Sequence, residues 1–99
     1  MMDLSNIHPG EILLEEFLKP LNMTPYRLAA SLGVPQTRVA EIIKGQRAIS
    51  PDTAIRLSKL FGNSEHFWLN LQATYDLELA RKKITAEVER IEPLKLPAA

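Results

Sequence analysis

Gln36, Thr37, Arg38, Glu41, Lys44 and Arg47 fall within one short stretch of this 99-residue chain. Their types suit the surface of a nucleic-acid duplex. A Gln amide bonds adenine at N6 and N7, an Arg fork bonds guanine at O6 and N7, and a Thr methyl meets the thymine methyl. Arg27, Lys44, Arg47 and Arg56 are candidates to neutralise phosphates, and such contacts make affinity fall with salt. Thr24 joins this set at the head of the preceding segment. The expected DNA-contacting residues are therefore Thr24, Arg27, Gln36, Thr37, Arg38, Glu41, Lys44 and Arg47.

The elements that must hold these side chains can be read from Thr24 to Ser50, TPYRLAASLGVPQTRVAEIIKGQRAIS. Thr24 is a good N-cap, and Pro25 suits the first helical position, where a missing N–H costs nothing. Leu28, Ala29 and Leu32 give that helix an apolar face, and Gly33 ends it by adopting positive φ. Val39, Ile42 and Ile43 then recur at i, i+3 and i+4, the stripe of a second helix. Two short helices crossed over a Gly turn form a helix-turn-helix, whose second helix enters the major groove N-terminus first. Two amphipathic helices alone are ordinary all-α packing; the density of polar groups at the second helix's start distinguishes this pair.

Around this centre the chain predicts three further helices. His8-Pro9-Gly10-Glu11 opens the first after a frayed 1–7, with Leu14, Phe17, Leu18 and Leu21 facing inward and Pro20 ending it. Ser50-Pro51 starts the fourth, with Ala54, Leu57 and Phe61 inward, and it stops at Gly62. Asn63-Ser64 caps the fifth, SEHFWLNLQATYDLELARKK, in which Trp68, Leu71, Tyr75 and Leu79 recur at helical spacing. Short helices cannot hide every side of this one, so those four residues are expected at a homodimer contact, with the Trp68 region shared between core and interface. The fold class is all-α: a five-helix phage-repressor-like domain over residues 1–83, dimerisation helix included. Residues 84–99 form a short C-terminal tail, with Ile84, Val88 and Ile91 adding a turn or two of helix.

Composition narrows the function. With no cysteine, a disulfide framework and a thiolate metal site are excluded. His8 and His66 lack companions at ligand spacing, so neither metal nor cofactor is expected. There is no Gly-rich phosphate loop and no Ser/His/Asp set that needs catalysis to explain it, so the chain does not read as an enzyme. No apolar run reaches the roughly 20 residues that span a bilayer, and no signal-peptide pattern opens the chain; a cytoplasmic protein with no membrane partner is the expectation. The net charge is zero, but residues 24–59 hold six basic and two acidic side chains, while residues 1–23 hold one basic and four acidic. A basic middle between acidic ends suits DNA on one face and another partner elsewhere.

His8-Pro9-Gly10-Glu11, the helix-turn-helix through Lys44-Gly45, then Phe67-Trp68-Leu69-Asn70-Leu71-Gln72 and Tyr75-Asp76-Leu77 together resemble the HigA-type antitoxins of the phage-repressor-like (Xre) group, over about residues 7–79. The helix-turn-helix is common to many repressors; its combination with the two flanking motifs is far more specific. The resemblance implies a dimer that binds double-stranded operator DNA of its own operon and silences a HigB-type toxin, a small ribosome-dependent mRNA endonuclease. It places the reading helix at Pro35 to Lys44, with Gln36 at a base-reading position. Pro25 departs from the group where many members carry a phosphate-touching Gln, and Pro35 removes one amide at the start of the reading helix. A nuclease that holds RNA is expected to be basic, so Glu15 and Glu16 on the first helix are the candidate toxin-binding residues, ahead of the acidic tail. The alternative is a stand-alone repressor with no toxin, which would bind DNA in the same way; a helix-turn-helix used only to bind protein fits the basic middle segment less well.

Overall fold

Four helices begin where a side chain turns back to bond a free backbone amide. His8 Nδ1 accepts from the Gly10 N–H at 2.9 Å, Thr24 Oγ1 from Arg27 at 3.1 Å, Ser50 Oγ from Thr53 at 3.2 Å and Ser64 Oγ from Phe67 at 3.0 Å. In the computed structural model, which describes residues 6–97, these caps open α1 (Pro9–Ile12), α2 (Pro25–Leu32), α4 (Pro51–Phe61) and α5 (Glu65–Val88). Between α2 and α4 lies α3 (Gln36–Ile43), which follows the extended Pro35 with no side-chain cap. Among the described residues the fold is all helical.

α1 continues without a break into a π-helical segment, Leu13–Leu18. The wider turn carries the Lys19 N–H to Leu14 O, five residues back, at 3.0 Å. That register changes which side chains face inward. Leu13 and Leu18, five apart, are each 1% exposed, whereas Leu14 and Phe17 are partly buried and Leu21 is 56% exposed. The expected inward set of Leu14, Phe17, Leu18 and Leu21 followed α-helical spacing and so missed Leu13 and misplaced Leu21.

The core joins Leu13 and Leu18 to Leu28, Ala29 and Leu32 of α2, Val39 and Ile42 of α3, Ile49, Ala54 and Leu57, and Trp68 of α5. Full burial of each Leu or Ile contributes about 1.5–3 kcal/mol. Trp68 is closed in by rings: Phe17 at 4.9 Å, Phe67 at 4.9 Å and Phe61 at 6.3 Å between centroids. Its indole N–H donates to Asn63 Oδ1 at 3.0 Å, so the tryptophan is buried without an orphaned donor.

α5 runs on to Val88, across the boundary expected between residues 83 and 84. At about 1.5 Å per residue its length of about 36 Å exceeds the thickness of the body, and residues after Tyr75 project from it. The molecule measures 53 × 29 × 28 Å. Residues 91–97 have no regular structure and are exposed. Of the stretch expected to fray, residues 1–5 lie outside the described residues; Asn6 accepts a hydrogen bond from Lys82 Nζ at 2.8 Å and Ile7 is half-buried.

His8 has a second role beyond the cap. Its ring meets Tyr75 edge-on with centroids 4.9 Å apart and leans against Gly45, joining α1, α5 and the end of α3. Burial holds the imidazole below its ordinary value of 6.5, while Asp76 and a hydrogen bond with the Arg47 backbone pull it the other way. A depressed folded value means that the unfolded chain binds more protons below 6.5, so the stability contributed by neutral His8 is complete above that pH and lost as pH falls through the folded value. Denaturant titrations between about pH 8 and pH 5 should show stability declining with acid, and His8→Asn, which keeps a cap acceptor but cannot titrate, should flatten that decline. Identical pH profiles for the two proteins would remove His8 as the cause.

Candidate nucleic-acid interface

The helix-turn-helix is built by two local devices. Gly33 ends α2 at φ 70°, in the left-handed region, and its N–H and that of Val34 close back on Ala30 and Ala29. Pro35 then sets an extended entry to α3, which buries Val39 and Ile42 and half-buries Ile43. The opposite face is left to solvent. Gln36 and Thr37 are exposed on the first turn, with Lys44 at the far end. Because α3 carries no side-chain cap, its first amides and the positive end of its dipole are open to an anion such as a phosphate.

The C-terminal end of α3 is positioned by α1. Gly10 packs so tightly on α3 that a Cβ there would stand 1.8 Å from the Ile42 carbonyl oxygen. Behind the loop that leaves α3, buried Gln72 of α5 accepts from the Ile49 N–H at 2.8 Å and donates to Asp76 at 2.9 Å. Gln72 lay inside the sequence motif around Trp68, but helical spacing alone gave no sign that a polar side chain there would anchor a loop.

The basic side chains divide into two groups. Arg27, Lys44 and Lys59 are exposed and have no acidic partner among the described residues. Arg38, Arg47 and Arg56 do. Arg38 Nη1 and Arg56 Nε both bond Asp52 Oδ1, at 2.9 and 2.8 Å, and these hydrogen bonds, that of Arg56 foremost, hold the Asp52 carboxyl below its ordinary value. Arg56 also donates to Leu32 O at 2.8 Å, closing the C-terminal end of α2. It is a clamp between α2 and α4 rather than a free phosphate cation. Arg47 donates to Glu41 Oε1 at 2.9 Å, so these two expected DNA contacts face each other before any duplex arrives. Sequence spacing did not reveal either arrangement, since the partners of Arg38 and Arg47 lie 14 and 6 residues away. The Thr24 hydroxyl is engaged as the α2 cap.

The residues expected at a dimer contact are spread over different environments. Trp68 is 0% exposed and belongs to the core, because the rings around it and Asn63 leave it no free face. Leu71 and Tyr75 are half-buried, Tyr75 against His8. Leu79 is exposed on the projecting part of α5, on the same side as Trp68, Gln72 and Tyr75. Leu77, Ile84 and Val88 form a separate exposed stripe on that projection. On the first helix Glu15 and Glu16 are exposed, and Glu15 pairs with Lys19 at 2.8 Å. Among the described residues no group of His, Asp or Glu is arranged to hold a metal ion, and no helix is long and apolar enough to cross a membrane.

The sequence is similar to known proteins over most of its length. A helix-turn-helix family profile matches residues 14–69. Virulence-associated protein I of Dichelobacter nodosus is 46% identical over 80 residues, covering 81% of this chain and 74% of that one. Antitoxin HigA-1 of Vibrio cholerae serotype O1 is 38% identical over 85 residues, covering 86% of this chain and 80% of that one. Among solved structures, Pseudomonas aeruginosa antitoxin HigA with the higBA promoter superposes with a TM-score of 0.87 at 44% identity, over 91% of this chain and 99% of that chain. The chain therefore belongs to the Xre-type helix-turn-helix proteins and, among them, to the HigA antitoxin family.

Proposed function

We propose that this protein is an antitoxin that binds the operator of its own operon as a homodimer and neutralises a HigB-type mRNA endonuclease. The observation that carries the DNA-binding half is the solvent face of α3: Gln36 and Thr37 stand exposed beside uncapped helix amides, with the unpaired Arg27 and Lys44 to contact flanking phosphates. The relative from Pseudomonas aeruginosa, solved with the higBA promoter, supports the same assignment. Gln36 reads an adenine edge, while Arg27 and Lys44 set affinity and its salt dependence.

One such motif covers a half-site, and a twofold dimer matches inverted half-sites about one helical turn apart. The projecting part of α5 provides the contact, with Leu79 at its start, since its apolar side chains Leu77, Leu79, Ile84 and Val88 stand exposed. The toxin is held on the first helix, where Glu15 and Glu16 face solvent and suit a basic nuclease.

These assignments give three experiments. Gln36→Ala should cost roughly 1–3 kcal/mol on the operator and leave random duplex binding nearly unchanged; equal losses on both would show that Gln36 does not read bases. Leu79→Arg, at an exposed site, should give folded monomers by light scattering and greatly weakened operator binding, whereas an unaltered dimer would move the contact elsewhere. Co-expression with the product of the neighbouring gene should yield a stable complex and restore growth, and Glu15→Lys with Glu16→Lys should weaken that complex without loss of operator binding. If neither co-purification nor rescue occurs, the protein is a stand-alone repressor; if the complex survives charge reversal, only the choice of surface is wrong.

A further inference from the structure

Glu41 is a carboxylate on the face that the proposed function turns toward a polyanion, one turn beyond Thr37 on α3. Left alone it would repel DNA. Arg47, just past Gly45, meets it with two donors on one oxygen: Nε and Nη2 each lie 2.9 Å from Oε1. The other carboxylate oxygen accepts no hydrogen bond among the described residues. Both side chains are close to half exposed, 43% for Glu41 and 48% for Arg47, so the pair is reachable and can open without disturbing the core. The backbone holding them is well anchored. Gln46 N–H bonds Glu41 O at 2.8 Å, and the loop is fixed by Gln72 at Ile49.

A closed pair adds no net charge to the interface, so Arg47 neutralises no phosphate while it holds Glu41. Opening the pair over an arbitrary sequence would expose a bare carboxylate to the duplex. A cytosine changes that balance, because its N4 amino group is a major-groove donor that a Glu carboxylate can accept from. The guanidinium released at the same moment can bond O6 and N7 of a guanine or move to a phosphate.

We propose that Glu41 and Arg47 act as one coupled reader of a C·G base pair, closed on random DNA and opened on the operator. The pair makes the phosphate or guanine contact of Arg47 conditional on a cytosine for Glu41, which lowers non-specific affinity and adds specificity in one device. Glu41 is thus a specificity-determining residue although it carries the wrong charge for binding DNA. This rests on the DNA-binding reading above.

The test uses the whole protein, an operator duplex and a random duplex of equal length, with affinity followed against salt. Glu41→Gln keeps the shape and a hydrogen-bond acceptor but frees Arg47. On random duplex the log–log salt slope should steepen by about one unit, and the ratio of operator to random affinity should fall about tenfold or more. The slope is decisive, because loss of any negative charge near DNA raises affinity. Arg47→Ala alone, which leaves the Glu41 carboxylate bare against the duplex, should weaken random-duplex binding without steepening its slope, and Glu41→Gln with Arg47→Ala should lose the added unit. Substitution of each operator base pair in turn should find one C·G position at which the wild type discriminates and Glu41→Gln does not. If wild type binds the operator but Glu41→Gln leaves slope and discrimination unchanged, or the added slope persists without Arg47, the coupling is refuted while DNA binding stands. If wild type binds no duplex, both fall.

Discussion

The first helix meets α3 at Gly10, where the backbone of one element touches the backbone of the other. A Cβ at this position would stand 2.6 Å from the Ile42 carbonyl carbon and nearer still to its oxygen. A side chain could rotate away from such a clash; a carbonyl in the last turn of α3 cannot, because its position is set by the helix around it. The closeness also places His8, two residues earlier, against Gly45 and Tyr75. A short motif that looks like the plain start of a helix therefore fixes where α3 ends and where its following loop departs. The geometry of the polar face depends on that contact.

The second support lies behind α3. Trp68 fills the space between the first, fourth and fifth helices and has no exposed surface. Edge-on and tilted ring pairs of this kind contribute about 0.5–1.5 kcal/mol each beyond burial alone. One turn further along α5, Gln72 turns the same buried face to a different use by satisfying the Ile49 amide. A buried amide left without a partner is costly, so the loop after α3 has one favourable path rather than many. Core and the proposed dimer contact thus share one helix: its first half closes the body, and its second half leaves the body and carries the exposed Leu77, Leu79, Ile84 and Val88.

Charge follows the same economy. Six basic residues in the middle segment suggest a broadly cationic face. Ion pairing leaves only Arg27, Lys44 and Lys59 of these six without an acidic partner among the described residues, while Asp52 and Glu41 engage Arg38, Arg56 and Arg47. The result is a surface with a few open cations and the uncharged, exposed Gln36 and Thr37. Such a surface favours sequence discrimination over indiscriminate attraction, since each neutralised phosphate adds affinity for every duplex alike.

Much of this protein is determined by local chemistry and was legible residue by residue. Thr24-Pro25, Ser50-Pro51 and Ser64 start helices because a hydroxyl satisfies an early amide, and Gly33 and Gly62 end them because φ is positive there. The apolar stripes of α2, α3 and α4 follow from 3.6-residue periodicity, and with them the exposure of Gln36 and Thr37. Other features arise only when distant segments meet. The π-helical register that buries Leu13 and exposes Leu21, the complete burial of Trp68, the Arg56 clamp on α2 and the Glu41–Arg47 pair each depend on a partner's position in space. Periodicity reports which face of a helix is apolar, but it carries no information on what covers that face or which charge sits across from which. Those are properties of packing, and only the tertiary structure decided them.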